Sequence, residues 1–376
     1  MNARVRDKEN GAFLRKLSCR FALVAAAGSI FFAVEAPTHA QTTTAKTYYV
    51  GTCKPGKADY TTIQEAVNGV PAGSTINVCP GIYPEQVTIL QPLTLTGVQS
   101  GDNATVVVTV PGTGLYGEAY GSSPPSQPLI AVLNTGGPVN ISGLTIDSTG
   151  ATNTSLDPVD ILFDTSSGTI NHVLLLEPQT GEFNYGLLVY DAGAVSPTVT
   201  LENSVISMAN QYSFGVAEYA GTSSVNVSNS YLHGSGSLAI LSLGKADTIT
   251  GNTIDVNAGG AGIYTNSATV TGNTISNTAF ALYTLEASGS SAVSNNTLVN
   301  NTTAFYSPGG GTFKGNMIVS TTSGTGVDLA CSSTIALSGN TFIGLATALT
   351  DVPGGGTLQK NAGKYFGVAT IEKLCP

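Results

Sequence analysis

Three segments of this chain, DILFD at 160–164, YGLLVYD at 185–191 and FGVAEY at 214–219, carry carboxylates and tyrosines at matching places. Aligned as strands, they put Asp164, Tyr190 and Tyr219 in one outward column. Asp160 then stands above Gly186 and Gly215 in a second column, with Asp191 and Glu218 at the flank. Insertions at 111–127, 148–158 and 177–184 bring Glu177, Glu182, Tyr116, Glu118 and Tyr120 toward the same corner. Carboxylates one or two strands apart stand roughly 5 to 10 Å from each other, the range over which an acid and a base or nucleophile act on a glycosidic bond. The candidate catalytic residues are therefore Asp164, Asp191, Glu182 and Glu218, with Tyr190 and Tyr219 as ligand contacts. The same oxygens could hold calcium, and a plain solvated acidic face is the third reading. No metal ligand set is assigned.

A second candidate surface is aromatic. The strand segments after residue 238 align so that one outward column reads Leu241, Tyr264, Tyr283, Tyr306, Asp328, Thr350. Three tyrosines in succession form a strip on which apolar sugar faces could lie. Tyrosine is equally a good strand residue, so a purely structural ladder is the alternative.

The elements that must position these residues are written in a repeat. ITGNTI, VTGNTI, VSNNTL, FKGNMI and LSGNTF recur with their asparagines, Asn252, Asn273, Asn296, Asn316 and Asn340, spaced 21, 23, 20 and 24 residues apart. A second phrase follows each one, a small residue and then an apolar one: Gly262-Ile263, Ala281-Leu282, Ala304-Phe305, Gly326-Val327 and Ala348-Leu349. Two short strands and two turns per repeat make a coil of a parallel β-solenoid rather than a helical hairpin. Coils stack about 4.8 Å apart, so the apolar places become inward columns and the asparagines a ladder at an inner turn. Irregular copies, from Leu93 to Leu241, carry the pattern back through the segments with the insertions.

This pattern resembles the right-handed parallel β-helix superfamily of pectin lyases and pectinesterases, over nearly all of the chain after residue 46. Gly81-Ile82-Tyr83-Pro84-Glu85 is similar to the opening signature of pectinesterase-type members, where it is a framework element, so Glu85 is expected to be structural. The resemblance implies an all-β, single-stranded right-handed parallel β-helix with coils of the repeat's length. It does not carry over a catalytic set. Pectate lyases use an arginine base with calcium and pectinesterases an arginine beside two aspartates, whereas no arginine follows Arg20. DILFD departs from the pectinesterase aspartate motif in its last residue. Leu232-His233-Gly234 is a fragment of the polygalacturonase Gly-His-Gly, and His172 and His233 read as turn or surface residues.

Residues 1–40 read as a signal peptide: Arg15, Lys16 and Arg20 precede an apolar run from Phe21 to Val34, and Thr38-His39-Ala40 suits a signal peptidase. Export to the cell exterior or periplasm is expected. Without this segment's six basic and three acidic residues, the chain keeps eight lysines against twenty carboxylates, a net charge of −12. That balance argues against nucleic acid and anionic membrane as partners; the partner expected from the tyrosine strip and the acidic corner is an extracellular polysaccharide or other glycan. The product is expected to be a monomer without a membrane span.

Four cysteines remain. In an exported chain an even count reads as disulfides, and Cys53–Cys79 with Cys331–Cys375 ties each end to itself; no CxxC spacing supports a metal instead. Thr62 and Glu65 form a capping box ahead of an apolar helix face, Ile63, Ala66, Val67 and Val70. This divides the chain into a cap and first coil at 41–90, the β-helix at 91–352 and a C-terminal capping tail at 353–376. The function expected is retention of an extended glycan along one solenoid face, with lyase or hydrolase activity at the acidic corner. The alternative is a non-catalytic adhesion-type solenoid.

Overall fold

The computed structural model describes residues 46–99, 105–117, 126–152, 156–179, 183–191, 196–219, 222–244, 246–257, 259–285, 290–331, 333–352 and 362–375. They wind into three parallel sheets of twelve strands each. One coil runs Asp247–Thr250 in sheet 1, Thr253–Val256 in sheet 2 and Ala261–Thr265 in sheet 3, and the next coil lies on it in parallel register. The coil therefore has three strands where the repeat suggests two. The phrase ITGNTI is not one strand, because the chain bends inside it at Gly251, which takes the left-handed conformation at φ 66°. Gly143, His172, Asn203, Asn229, Gly272, Asn295, Gly315 and Gly339 adopt that conformation at the same corner of other coils, between φ 49° and 67°. Glycine and asparagine tolerate it most readily, which accounts for His172 lying in a turn.

Inward columns make the core. Ile249, Val270, Val293, Phe313 and Leu337 line sheet 1, Ile254, Ile275, Leu298, Ile318 and Phe342 line sheet 2, and Ile263, Leu282, Phe305, Val327 and Leu349 line sheet 3, all buried. Each such side chain contributes about 1.5–3 kcal/mol by leaving water. The rings of Phe305 and Phe313 stack across this core at 4.6 Å.

The ladder asparagines bridge coils at the corner between sheets 1 and 2. Asn273 Oδ1 accepts from both the backbone N–H and Nδ2 of Asn252, at 2.9 and 3.0 Å, while Asn273 Nδ2 donates to Ile249 O at 2.9 Å. Asn296, Asn316 and Asn340 repeat the arrangement one coil at a time. Serines carry it further back, with Ser230 Oγ accepting from the Ser204 N–H and Ser204 Oγ from the Val173 N–H.

The N-terminal end is capped. Thr62 caps the helix Ile63–Gly69 by accepting from the Glu65 N–H. The Glu85 carboxylate accepts from the Ile63 and Gln64 N–H groups at 2.8 and 2.9 Å, the structural role expected of it. Gln64 then exchanges two hydrogen bonds with the Thr88 backbone, occupying the open edge of sheet 3. The disulfides Cys53–Cys79 and Cys331–Cys375 are formed. Gly363–Phe366 and Thr370–Leu374 extend sheets 2 and 3, so this part of the tail is a further partial coil rather than a flap folded over the end. Among the described residues no helix is long and apolar enough to cross a membrane.

Two outcomes follow. Asn273→Ala orphans buried donors of Asn252 and should cost about 3 kcal/mol in a urea melt, whereas loss within about 0.5 kcal/mol would mean water replaces the amide. Replacing Cys331 and Cys375 with serine should cost about 2–4 kcal/mol, and the difference from the parent should disappear in reductant.

Candidate functional site

Asp164 and Tyr190 are register partners in sheet 3, and Tyr219 follows Glu218, which pairs with Val189. The three thus stand in one outward column, as the alignment predicts. It is a sheltered place: Asp164 is 4 % exposed, Tyr190 and Tyr219 are half-buried, and the outward Leu162, Leu188 and Ala217 beside them are fully buried. The Tyr219 hydroxyl meets the Tyr185 hydroxyl at 3.1 Å, and Tyr185 stacks on Phe214 at 5.3 Å. Phe183 packs tilted against Phe214 and meets the exposed Tyr212 edge-on, extending the aromatic cluster.

Burial pushes the Asp164 carboxyl above the usual carboxylate range, and the neighbouring Asp191 charge pushes the same way; a hydrogen bond from Thr165 Oγ1 at 2.9 Å opposes both. Asp191, 5 % exposed, accepts a hydrogen bond from Thr222 Oγ1. Asp164, its proton affinity raised by burial, and Asp191, held by Thr222, are chemically differentiated carboxyls. Glu182, the third carboxylate expected here, lies outside the described residues, as do Glu118 and Tyr120. Tyr116 is exposed and tethered by two hydrogen bonds between its backbone and the Gln86 side chain.

Glu218 does not join this patch. It occupies the inward column between Val189 and Ser242 and is fully buried. Ser223 Oγ donates to its Oε1 and the Gly244 N–H to its Oε2. Burial pushes Glu218 up to about 8, and the adjacent Asp247 carboxylate, which accepts its proton in a hydrogen bond, adds to the rise. Asp247 is held in turn by the Val225 N–H and Ser242 Oγ. Asp247 escaped the sequence reading because it opens a strand of a different sheet.

Asp160 and Glu177 are also interior. A Cβ on Gly186 would stand 2.8 Å from Ile206 Cγ2, and one on Gly215 would stand 3.0 Å from Leu232 Cδ2, both core residues, so the Asp160–Gly186–Gly215 column faces inward. Since Ile161, Leu187 and Val216 are core residues too, two consecutive residues face inward where the strand enters sheet 3. Simple alternation misassigns the face at that bend.

The tyrosine column has the expected register: Tyr264 pairs with Tyr283, Tyr283 with Tyr306 and Tyr306 with Asp328. Its rings, however, do not lie flat on the surface. Tyr264 and Tyr283 stack at 4.4 Å and 25°, Tyr283 and Tyr306 at 4.5 Å and 28°, and Phe280 closes against their edges. Each ring covers its neighbour's face, so the strip offers edges and hydroxyls rather than a stacking platform. Burial pushes all three phenols up, Tyr306 to about 12. His233 stacks on Tyr231 at 4.5 Å on the outer face of sheet 2. Among the described residues no group of three or more His, Cys, Asp or Glu could hold a metal ion.

A family model described as right handed beta helix region matches residues 130–342, more than half of the chain. The protein belongs to this β-helix family. Of the solved structures it is similar to, the GH136 lacto-N-biosidase from Eubacterium ramulus has 12% identity, with 88% of this chain and 67% of that one covered and a TM-score of 0.53. The pectin methylesterase PemA from Erwinia chrysanthemi has 14% identity, coverage of 63% and 80%, and a TM-score of 0.40. The pectin methylesterase from Aspergillus niger has 16% identity, coverage of 67% and 85%, and a TM-score of 0.44. At these identities the likeness is one of fold. Comparison with curated proteins finds no match.

The interior Glu218 has a consequence for pH. Its folded-state affinity for a proton exceeds that of the unfolded chain, so its contribution to stability is complete below about pH 4.3 and is lost as pH rises through about 8. The melting temperature should therefore fall across that window, and Glu218→Gln should flatten the fall. An equal slope in both proteins would place the titration elsewhere.

Proposed function

We propose that this is an exported β-helix protein that holds an extended glycan along the outer face of sheet 3, with hydrolytic or lyase chemistry at Asp164 and Asp191. The observation that carries the reading is the outward column of Asp164, Tyr190 and Tyr219, where a sheltered carboxyl of raised proton affinity stands near Asp191 and half-exposed tyrosines. In hydrolysis, Asp164 gives its proton to the glycosidic oxygen while the Asp191 carboxylate acts as base or nucleophile. Tyr190, Tyr219 and the exposed Tyr212 supply apolar edges and hydroxyls for sugar rings. The hydroxyl edge of Tyr264, Tyr283 and Tyr306 continues the contact along later coils.

A carbohydrate ligand is also supported by the fold-level likeness to the GH136 lacto-N-biosidase. Export is supported by the basic and apolar segments of residues 1–40 and by the two disulfides. The protein acts as a monomer and has no nucleic-acid or membrane partner, consistent with its excess of carboxylates.

A second reading, a non-catalytic surface or adhesion solenoid, is favoured by the structural use of Glu218, whose carboxyl is fully engaged with Ser223, Gly244 and Asp247. A polysaccharide and oligosaccharide panel scored for both retention and cleavage, with and without calcium, separates the two. Asp164→Asn with Asp191→Asn should abolish cleavage while leaving the fold and most retention intact. Changing Tyr264, Tyr283 and Tyr306 together to phenylalanine should keep the ring stack and weaken retention severalfold. Retention without cleavage by the parent protein would remove the catalytic part of the first reading, and neither retention nor cleavage of any glycan would end the first reading and leave the adhesion solenoid.

A further inference from the structure

The interior holds two pairs of carboxyls that the protein treats differently. Glu218 and Asp247 each receive donors on both oxygens, from Ser223, Gly244, Val225 and Ser242. Asp160 and Glu177 do not. Asp160 Oδ1 accepts from Ser148 Oγ, but Asp160 Oδ2 and both Glu177 oxygens are buried without a hydrogen-bond partner. Ser213 Oγ and the Gly186 N–H are near enough to Glu177 to favour its charged form, though neither reaches it with ordinary hydrogen-bond geometry.

These groups converge at one place, the inner corner where the chain passes from sheet 2 to sheet 3. Ser148 and Glu177 directly follow the sheet 2 strands Thr145–Asp147 and Leu174–Leu176, and they occupy neighbouring coils. In the same two coils, Asn184 begins the sheet 3 strand Asn184–Tyr190, and Asp160 lies inside the strand Asp157–Asp164, level with Gly186. Glycine at 186 keeps the space open, since a Cβ there would stand 3.3 Å from Glu177 Oε1. Asn184 supplies an independent, uncharged observation. It is 0 % exposed, its Nδ2 donates at 2.7 Å to the carbonyl of Pro178, the residue after Glu177, and its Oδ1 is buried without a donor. Its register partner is Ser213, the residue that lies beside the Glu177 carboxyl.

Four buried oxygens, all acceptors, are thus gathered across two coils, and the groups that act on the two carboxyls, Ser148, Ser213, Asp147 and the Gly186 N–H, include no cationic side chain. An unpaired buried carboxylate is costly, and a coordinated ion is one of the few arrangements that offsets the cost. We propose that Asp160, Glu177 and Asn184 form an internal calcium site that clamps the coils on either side of the sheet 2 to sheet 3 corner.

Hard oxygen donors select an alkaline-earth ion over zinc or copper. Two carboxylates match one divalent charge, and irregular donors from three side chains suit calcium better than magnesium, which keeps its own waters and an octahedral shell. Burial means that the ion enters during folding, so its effect is a preference for the native state. This site is separate from the outward Asp164 and Asp191, and it stands or falls independently of any glycan chemistry.

The test uses the chain without residues 1–40, unfolded in denaturant with chelator and refolded with either chelator or calcium chloride. Calcium should raise the melting temperature saturably, and about one equivalent should stay with the protein through gel filtration, measured by atomic emission. Terbium in its place should give tyrosine-sensitised luminescence, since Tyr185 adjoins Gly186. Glu177→Gln and Asn184→Ala should lose the retained ion, whereas Asp164→Asn with Asp191→Asn should keep it. Wild-type protein that refolds to the same melting temperature in both conditions and retains no metal would overturn the proposal. Loss of the ion in the Asp164 and Asp191 variant, with its retention in Glu177→Gln, would overturn it equally by moving the ion to the outer face. Should Glu177→Gln not fold, the wild-type metal content and Asn184→Ala decide.

Discussion

The rest of the structure depends on hydrogen bonding between successive coils through buried side-chain amides. Asn273 accepts from Asn252 one coil before it and donates to that coil's Ile249 carbonyl, and Asn296 accepts from Asn273 in turn. A buried amide without those partners would cost as much as a lost hydrogen bond or more. No coil is therefore self-sufficient, and stability accumulates between neighbours. The same dependence explains the ends. Among the described residues the first coil has no coil before it, and the Ile63–Gly69 helix, its Glu85 cap and the Gln64 side chain serve the edge of sheet 3 there.

Stacking also decides what chemistry is available. Because each place in a coil lies over the same place in the next, a side chain on sheet 3 is either inside, where its polar atoms must be met by the protein or a bound ion, or outside beside its counterparts. The carboxyls split along this line: Glu218, Asp160 and Glu177 are interior, while Asp164 stands outward in register with Tyr190. The tyrosines show that stacking can also withdraw a surface. Rings 4.4 and 4.5 Å apart satisfy one another and present their rims.

Burial raises the proton affinity of Asp160, Glu177 and Glu218 alike, and a neighbouring carboxylate is the next cause for both glutamates, yet their hydrogen-bond partners differ. For Glu218 a second carboxyl shares the proton, and serine hydroxyls and amide N–H groups complete the arrangement. For Glu177 the neighbouring Asp160 charge opposes ionisation with little to relieve it. With lysine the only strongly basic residue after Arg20, and only eight of those, paired guanidinium–carboxylate solutions are not available to this interior.

The repeat by itself determined a parallel solenoid, its inward apolar columns, the asparagine ladder and the register of Leu241, Tyr264, Tyr283 and Tyr306. All of these follow from a period along the chain, and a period becomes a column once coils stack. Tertiary structure alone decided that each coil has three strands, because the bend at Gly251 lies inside a phrase that reads as continuous apolar alternation. It alone turned Glu218 and the Asp160–Gly186–Gly215 column inward, since two successive residues face the core where the strand enters sheet 3 and alternation fails there. It alone joined Glu218 to Asp247, whose proximity crosses the interior between two sheets and has no fixed separation in sequence.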